Sequence, residues 1–138
     1  MKRIIIYSVL IFLSACVDVV NGSKIPNVHF RYSVDLYQDQ FLRAPGNYRI
    51  YPNIGYKGLI VYNLDGNIFY AYDLACTYKD GIHEISTGTK GSEPIIECKH
   101  CGSIFNLINA GAPVEAPATY PLKQYTCSKS NMSVWITN

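Results

Sequence analysis

The chain has 138 residues, 49% of them hydrophobic, and a formal charge of +2 at neutral pH. That is enough apolar material for one domain with a real core. The near-balance of charge excludes a basic nucleic-acid surface.

The first segment in chain order is an address rather than structure. Lys2 and Arg3 make a positive n-region, and Ile4 to Leu13 is an apolar run broken only by Tyr7 and Ser8. The run is too short to span a bilayer as a stable helix and has the form of an export signal. Leu13-Ser14-Ala15-Cys16 has the form of a bacterial lipobox, in which Cys16 takes the lipid and becomes the new N-terminus. Each buried acyl methylene adds about 0.8 kcal/mol of membrane affinity. The expectation is therefore a signal peptide over 1–15, a lipidated tether over 16–27 and a domain over 28–138. The product is an exported bacterial lipoprotein held to a membrane through Cys16, on the periplasmic or cell-surface side. Loss of Lys2 and Arg3 lowers the lysine plus arginine count from 12 to 10, against 10 acidic residues, so the mature chain is near neutral. Asn21-Gly22-Ser23 and Pro26 mark the tether as irregular.

From residue 28 onward tyrosine, isoleucine and valine recur between turn residues, the composition of short strands. Strands are predicted at 28–36, at 48–51 (stopped by Pro52-Asn53) and at 58–63. Asp65-Gly66 is a hairpin signal leading into 67–74. There Ile68, Tyr70 and Tyr72 alternate with Phe69, Ala71 and Asp73, a pattern that fits a strand covered on both faces. Strands at 83–86 and 94–98 flank a turn-rich stretch at 88–92. A strand at 103–107 precedes a loop over 109–117, and 120–127 with 132–137 form a closing hairpin. The one helix is predicted over 38–43, ended by Pro45-Gly46. Many short strands with Gly/Pro turns and no repeat or second domain predict an all-β, small antiparallel sandwich or barrel.

The residues that carry chemistry are cysteines. Cys98-Lys99-His100-Cys101-Gly102-Ser103-Ile104-Phe105 follows Cys76-Thr77-Tyr78, with Cys76 and Cys98 22 positions apart. A Cys-x-x-Cys unit is half of a tetrahedral zinc site, but position 79 is Lys79, so the zinc-ribbon pattern is only half present. Cys76, Cys98, Cys101 and Cys127 in an exported chain allow three complete disulfide pairings. Cys127, in the last hairpin, reads as a buried free thiol. His29 lies in a strand-like run, and His83-Glu84 would point to opposite faces of a strand, so neither makes an acid–base site. His83, five residues beyond Tyr78, reads as a solvent-exposed turn residue, with reach to the cysteines from a displaced loop as its alternative. No Gly-x-Ser-x-Gly elbow, phosphate loop or His-Glu-x-x-His is present. The twelve tyrosines suit half-buried strand faces; a carbohydrate-binding aromatic platform is their functional alternative.

From about residue 57 to the end the sequence resembles the Rieske [2Fe–2S] family. That family takes its ligands from two loops, as Cys-x-His and later Cys-x-x-His followed by Gly-Ser-x-Phe. Here the predicted strand 67–74 leads into Cys76, and Cys98 with Gly102-Ser103-Ile104-Phe105 matches the second loop. Ala116-Pro117-Ala118-Thr119-Tyr120-Pro121-Leu122 resembles the family's Gly-Pro-Ala-x-x-Pro-Leu. The resemblance implies a Rieske-like fold with two cysteine-bearing loops, and it places the ligand positions at Cys76, Tyr78, Cys98 and Cys101. Tyr78 and Cys101 replace the two histidines. Thiolate in place of neutral imidazole adds negative charge and lowers the potential, and a phenol with a reference pKa near 10 must lose its proton to bind.

Three occupants follow from this. A [2Fe–2S] cluster on Cys76, Cys98, Cys101 and a fourth ligand would make the protein an electron carrier with a redox partner, not an oxygenase or other enzyme. His100 is a weak fourth ligand, because neighbouring side chains rarely aim at one iron. Zinc on the same three thiolates is the second. The third is a metal-free structural or binding module in which a disulfide joins Cys76 to Cys98 or Cys101, stabilising by roughly 3 kcal/mol.

Overall fold

The computed structural model describes residues 25–81, 85 and 94–138. The expected leader, Cys16 and the tether up to residue 24 lie outside these residues, as do His83, Glu84 and the stretch 88–92. Of the strand expected at 83–86 only Ile85 is described. Among the described residues no helix is long and apolar enough to cross a membrane.

The order is β1 (Arg31–Asp35), α1 (Gln40–Arg43), β2 (Tyr48–Tyr51), β3 (Leu59–Asn63), β4 (Phe69–Asp73), a 3-10 turn (Tyr78–Gly81), β5 (Ile95–Glu97), β6 (Ile104–Asn106), β7 (Ala112–Glu115), β8 (Gln124–Ser130) and β9 (Ser133–Thr137). β3 and β4 form the centre, and the period-2 alternation of a strand sorts their side chains. Ile60, Tyr62, Tyr72 and Leu74 face one core with Ile96, Phe105 and Leu107. Leu59, Val61, Phe69 and Ala71 face a second core with Val34, Leu42, Val134 and Ile136. Both faces are thus covered, as the composition of 67–74 suggests.

A six-stranded sheet runs β1-β9-β8-β4-β3-β2, and a three-stranded sheet runs β5-β6-β7. All pairings are antiparallel. The small sheet closes the first core, and the Tyr72 hydroxyl donates to the Leu107 carbonyl at 2.7 Å, tying it to β4. This is an all-β fold of the expected kind: a curled antiparallel sheet with a second, smaller one.

Three local expectations are corrected. The loop expected over 109–117 contains β7, whose Pro113 pairs with Phe105; β7 is the edge of its sheet, where proline is tolerated. β8 begins at Gln124 rather than 120, because Leu122 N–H is spent on the Gly111 carbonyl. It continues past Cys127 to Ser130, where the two-residue turn Asn131-Met132 starts β9, with Asn131 at φ 53°. β1 starts at Arg31 rather than 28, since its partner β9 ends at Thr137.

Asp39 shows how short-range chemistry fixes the second core's lid. Its carboxylate caps α1 through Leu42 N–H at 3.0 Å. It also accepts both Arg49 Nε at 2.9 Å and Nη2 at 3.0 Å, and the Tyr51 hydroxyl at 3.1 Å. The hydrogen bond from Arg49 holds the Asp39 carboxyl below its ordinary range, against the opposing effect of burial. A depressed folded pKa gives stability that is full above the ordinary carboxylate pKa of about 3.9. It is lost as pH falls through the lower folded value. Asp39→Ala is expected to cost about 1–2 kcal/mol at pH 7 and to flatten the acid limb of a stability-against-pH curve. An unchanged urea midpoint at pH 7 contradicts this.

Candidate metal centre

Three chain segments meet at one end of the first core. β4 runs through Leu74 and Ala75 into Cys76, with the Ala75 N–H held by Asp73 Oδ1 at 2.8 Å. β5 runs directly into Cys98. There a tight turn closes: Cys101 N–H and Gly102 N–H both donate to the Cys98 carbonyl, at 3.2 and 2.7 Å, and Cys98 N–H donates to Ser103 O at 2.8 Å. Gly102 sits at φ +79°, a left-handed conformation that costs glycine nothing. The third segment is the proline-containing stretch after β7. It is tied to the first loop by the Thr77 hydroxyl, which donates to Tyr120 O at 2.6 Å. It is tied to the second by Ala118 N–H, which donates to Ser103 Oγ at 2.9 Å.

The result is a convergence of thiols. The Sγ atoms of Cys76, Cys98 and Cys101 all lie within 4.8 Å of one another, and Cys76 Sγ is 3.6 Å from Cys101 Sγ. Cys76 and Cys98 are wholly buried, and Cys101 is partly exposed. All three are free thiols in this structure. Burial pushes the Cys76 thiol up to about 12, with the Tyr78 N–H opposing it and the neighbouring thiols adding to it. At Cys101 burial also works upward. Hydrogen bonds from the Ser103 hydroxyl and N–H, with the other two thiols, outweigh it, and the pKa falls below the ordinary thiol value. Ser103 Oγ lies 3.1 Å from Cys101 Sγ. This oxygen also accepts from the Ala118 N–H, which fixes it beside the sulfur.

The remaining expected site residues are placed as follows. Tyr78 is half-buried against the first core, with Lys79 Nζ 5.2 Å from its ring centroid, and its hydroxyl makes no hydrogen bond to the thiols. His100 is exposed on the turn. Cys127 packs against the second core, on the other side of the sheet, and burial pushes its thiol up to about 12. Sequence reasoning missed Ser103 as the group that steers Cys101; its place in Gly-Ser-x-Phe was the available signal.

A Rieske [2Fe–2S] centre needs two thiolates on one iron and two imidazoles on the other. Cys76 and Cys98 meet the first half. The second half is not met: Tyr78 and Cys101 stand at those positions, and no histidine nitrogen joins the group among the described residues. The donor set suits a sulfur-rich thiolate centre instead.

No family model and no curated protein matches the chain. Solved structures do. A chain in the complex of reduced oxygenase and oxidized ferredoxin of carbazole 1,9a-dioxygenase is 29% identical with a TM-score of 0.58, over 78% of this chain and 92% of that one. The Sphingomonas yanoikuyae ferredoxin is 27% identical with a TM-score of 0.51, over 69% of this chain and 88% of that one. The apo form of a quaternary ammonium Rieske monooxygenase is 15% identical with a TM-score of 0.53, over 83% of this chain and 33% of that longer one. The described domain is therefore Rieske-like. Its architecture is that of the ferredoxins, with a group of three cysteines at the tip.

Proposed function

We propose that this protein is an exported, lipid-anchored electron carrier in which the thiolates of Cys76, Cys98 and Cys101 hold iron. The observation that carries the proposal is the convergence of those three thiols within 4.8 Å, on the two loops where the Rieske family holds its cluster. Iron so held would supply reversible one-electron transfer. Thiolate at position 101, where the family has imidazole, lowers the potential. A hydrogen bond from the Ser103 hydroxyl, 3.1 Å from Cys101 Sγ, would oppose that. Membrane attachment rests on Leu13-Ser14-Ala15-Cys16. A redox partner follows from the likeness to a ferredoxin that is found in complex with its oxygenase.

Protein purified without air is expected to be coloured, to contain iron, and to give an EPR signal in one oxidation state. Colourless, iron-free protein after anaerobic iron and sulfide reconstitution would overturn the proposal. The second reading is a cluster-free module whose loops are joined by a disulfide or by zinc. The 3.6 Å approach of Cys76 and Cys101 sulfurs favours it. Thiol titration separates the disulfide form: four free thiols in metal-free mature protein exclude it.

A further inference from the structure

We infer that the three cysteines are built to hold one thiophilic divalent ion with an open fourth position, rather than to supply ligands to a two-iron cluster. The inference rests on reading Cys76, Cys98 and Cys101 as a metal centre.

The distances argue first. In a tetrahedral thiolate site the ion lies about 2.3 Å from each sulfur, so neighbouring sulfurs are about 3.8 Å apart. Cys76 and Cys101 Sγ are 3.6 Å apart, and Cys98 Sγ lies within 4.8 Å of both. One ion at the centre of the triangle needs only small side-chain shifts. In the Rieske arrangement positions 76 and 101 serve different irons, which puts their donor atoms at opposite ends of the cluster.

The backbone argues second. Cys98-Lys99-His100-Cys101 closes on itself through the two bonds to the Cys98 carbonyl, bringing both of its sulfurs to the same side as Cys76. Such a Cys-x-x-Cys turn is half of a tetrahedral site. Ser103 Oγ, fixed by the Ala118 N–H, lies 3.1 Å from Cys101 Sγ, a neighbour of the kind that orients a thiolate ligand.

The fourth position argues third. Among the described residues, which do not include His83, no fourth Cys, His, Asp or Glu joins the group, and the Tyr78 hydroxyl makes no bond to it. Cys101 is the partly exposed member, so water or a small ligand reaches the ion from its side. Three protein ligands plus an exchangeable one is the pattern of a site that keeps a position open. Thiolate donors select Zn²⁺ or Fe²⁺ over Mg²⁺ and Ca²⁺, and binding releases the thiol protons to solvent.

The test uses the mature chain, reduced and metal-free, titrated anaerobically with Co²⁺ as a spectroscopic stand-in and then with Zn²⁺ and Fe²⁺. The expected result is a 1:1 end point, sulfur-to-cobalt charge-transfer bands with tetrahedral visible bands, and displacement of cobalt by zinc. Added imidazole should shift the visible bands, because it enters the fourth position. Cys101→Ser should lose the charge-transfer intensity of one thiolate, and Tyr78→Phe should leave the spectrum unchanged. Iron reconstitution to two irons and two acid-labile sulfides per chain would overturn the single-ion inference and leave the metal-centre reading standing. Failure to bind any of the three ions would overturn both. Bands that imidazole does not move would overturn the open position.

Discussion

Asp73→Asn is expected to destabilise the domain by about 3 kcal/mol. Asp73 is wholly buried at the end of β4. Its Oδ2 accepts from Tyr56 N–H at 2.6 Å and from the Tyr125 hydroxyl at 2.7 Å. Its Oδ1 accepts from Lys57 N–H at 3.2 Å and Ala75 N–H at 2.8 Å. Oδ1 therefore faces backbone N–H donors only, and Oδ2 faces the Tyr56 N–H and a hydroxyl that is able to turn and accept. The amide NH₂ of asparagine meets two backbone N–H groups at the Oδ1 position and the Tyr56 N–H at the Oδ2 position, and breaking bonds to a buried carboxylate costs roughly 1.5–3 kcal/mol each. At about 4–8 °C per kcal/mol for a small domain, the expected fall in Tm is on the order of 15 °C by calorimetry or circular dichroism. Tyr125→Phe removes one donor and leaves three, so it should cost less. A fall of only a few degrees for Asp73→Asn would contradict the account.

The same carboxylate links fold to site. It anchors the backbone of Tyr56 and Lys57 on one side and Ala75, next to Cys76, on the other. Gly55 belongs to the arrangement, because a Cβ there would stand 2.7 Å from both Asp73 Oδ2 and the Tyr125 hydroxyl.

The second large effect falls on metal affinity. Cys98→Ala removes one of three thiolates. Structural zinc sites bind with about 10–16 kcal/mol over four ligands, so each ligand contributes roughly a quarter. At 1.4 kcal/mol per tenfold, the loss is on the order of 10²-fold or more in Zn²⁺ or Co²⁺ affinity, measured by competition with a chromophoric chelator. Cys127→Ala is the contrasting variant. It sits against the opposite core and should bind metal as the unmodified chain does, although it too removes a thiol. Equal loss in both variants would mean that the three-cysteine site is not where the metal goes.

Much of the fold was legible in the sequence because its signals are local. Asp65-Gly66 set the β3–β4 hairpin, and the alternation through Phe69, Ala71 and Asp73 announced a strand with two covered faces. Pro52 and Pro45-Gly46 stopped β2 and α1 where expected. β7 was not legible: Ala112-Pro113-Val114-Glu115 has weak strand character and is ordered by pairing with β6, a long-range contact with no local trace. The site was half legible. Cys76, Cys98 and Cys101 and the loops that carry them stand out by spacing. What spacing could not give is that Cys101 Sγ turns towards Cys76. That depends on Ser103 being fixed from a third segment, through Ala118. Asp73 enters the sequence pattern only as one member of the strand alternation, because its four donors come from three separate segments of the chain.

X-ray absorption at the edge of the bound metal, on protein loaded to one ion per chain, tests the central claim most directly. The account predicts three sulfur neighbours at about 2.3 Å and one lighter neighbour. That shell should fall to two sulfurs in Cys98→Ala and be unchanged in Cys127→Ala. A shell of oxygen and nitrogen without sulfur, or a sulfur count that Cys98→Ala does not reduce, would contradict it.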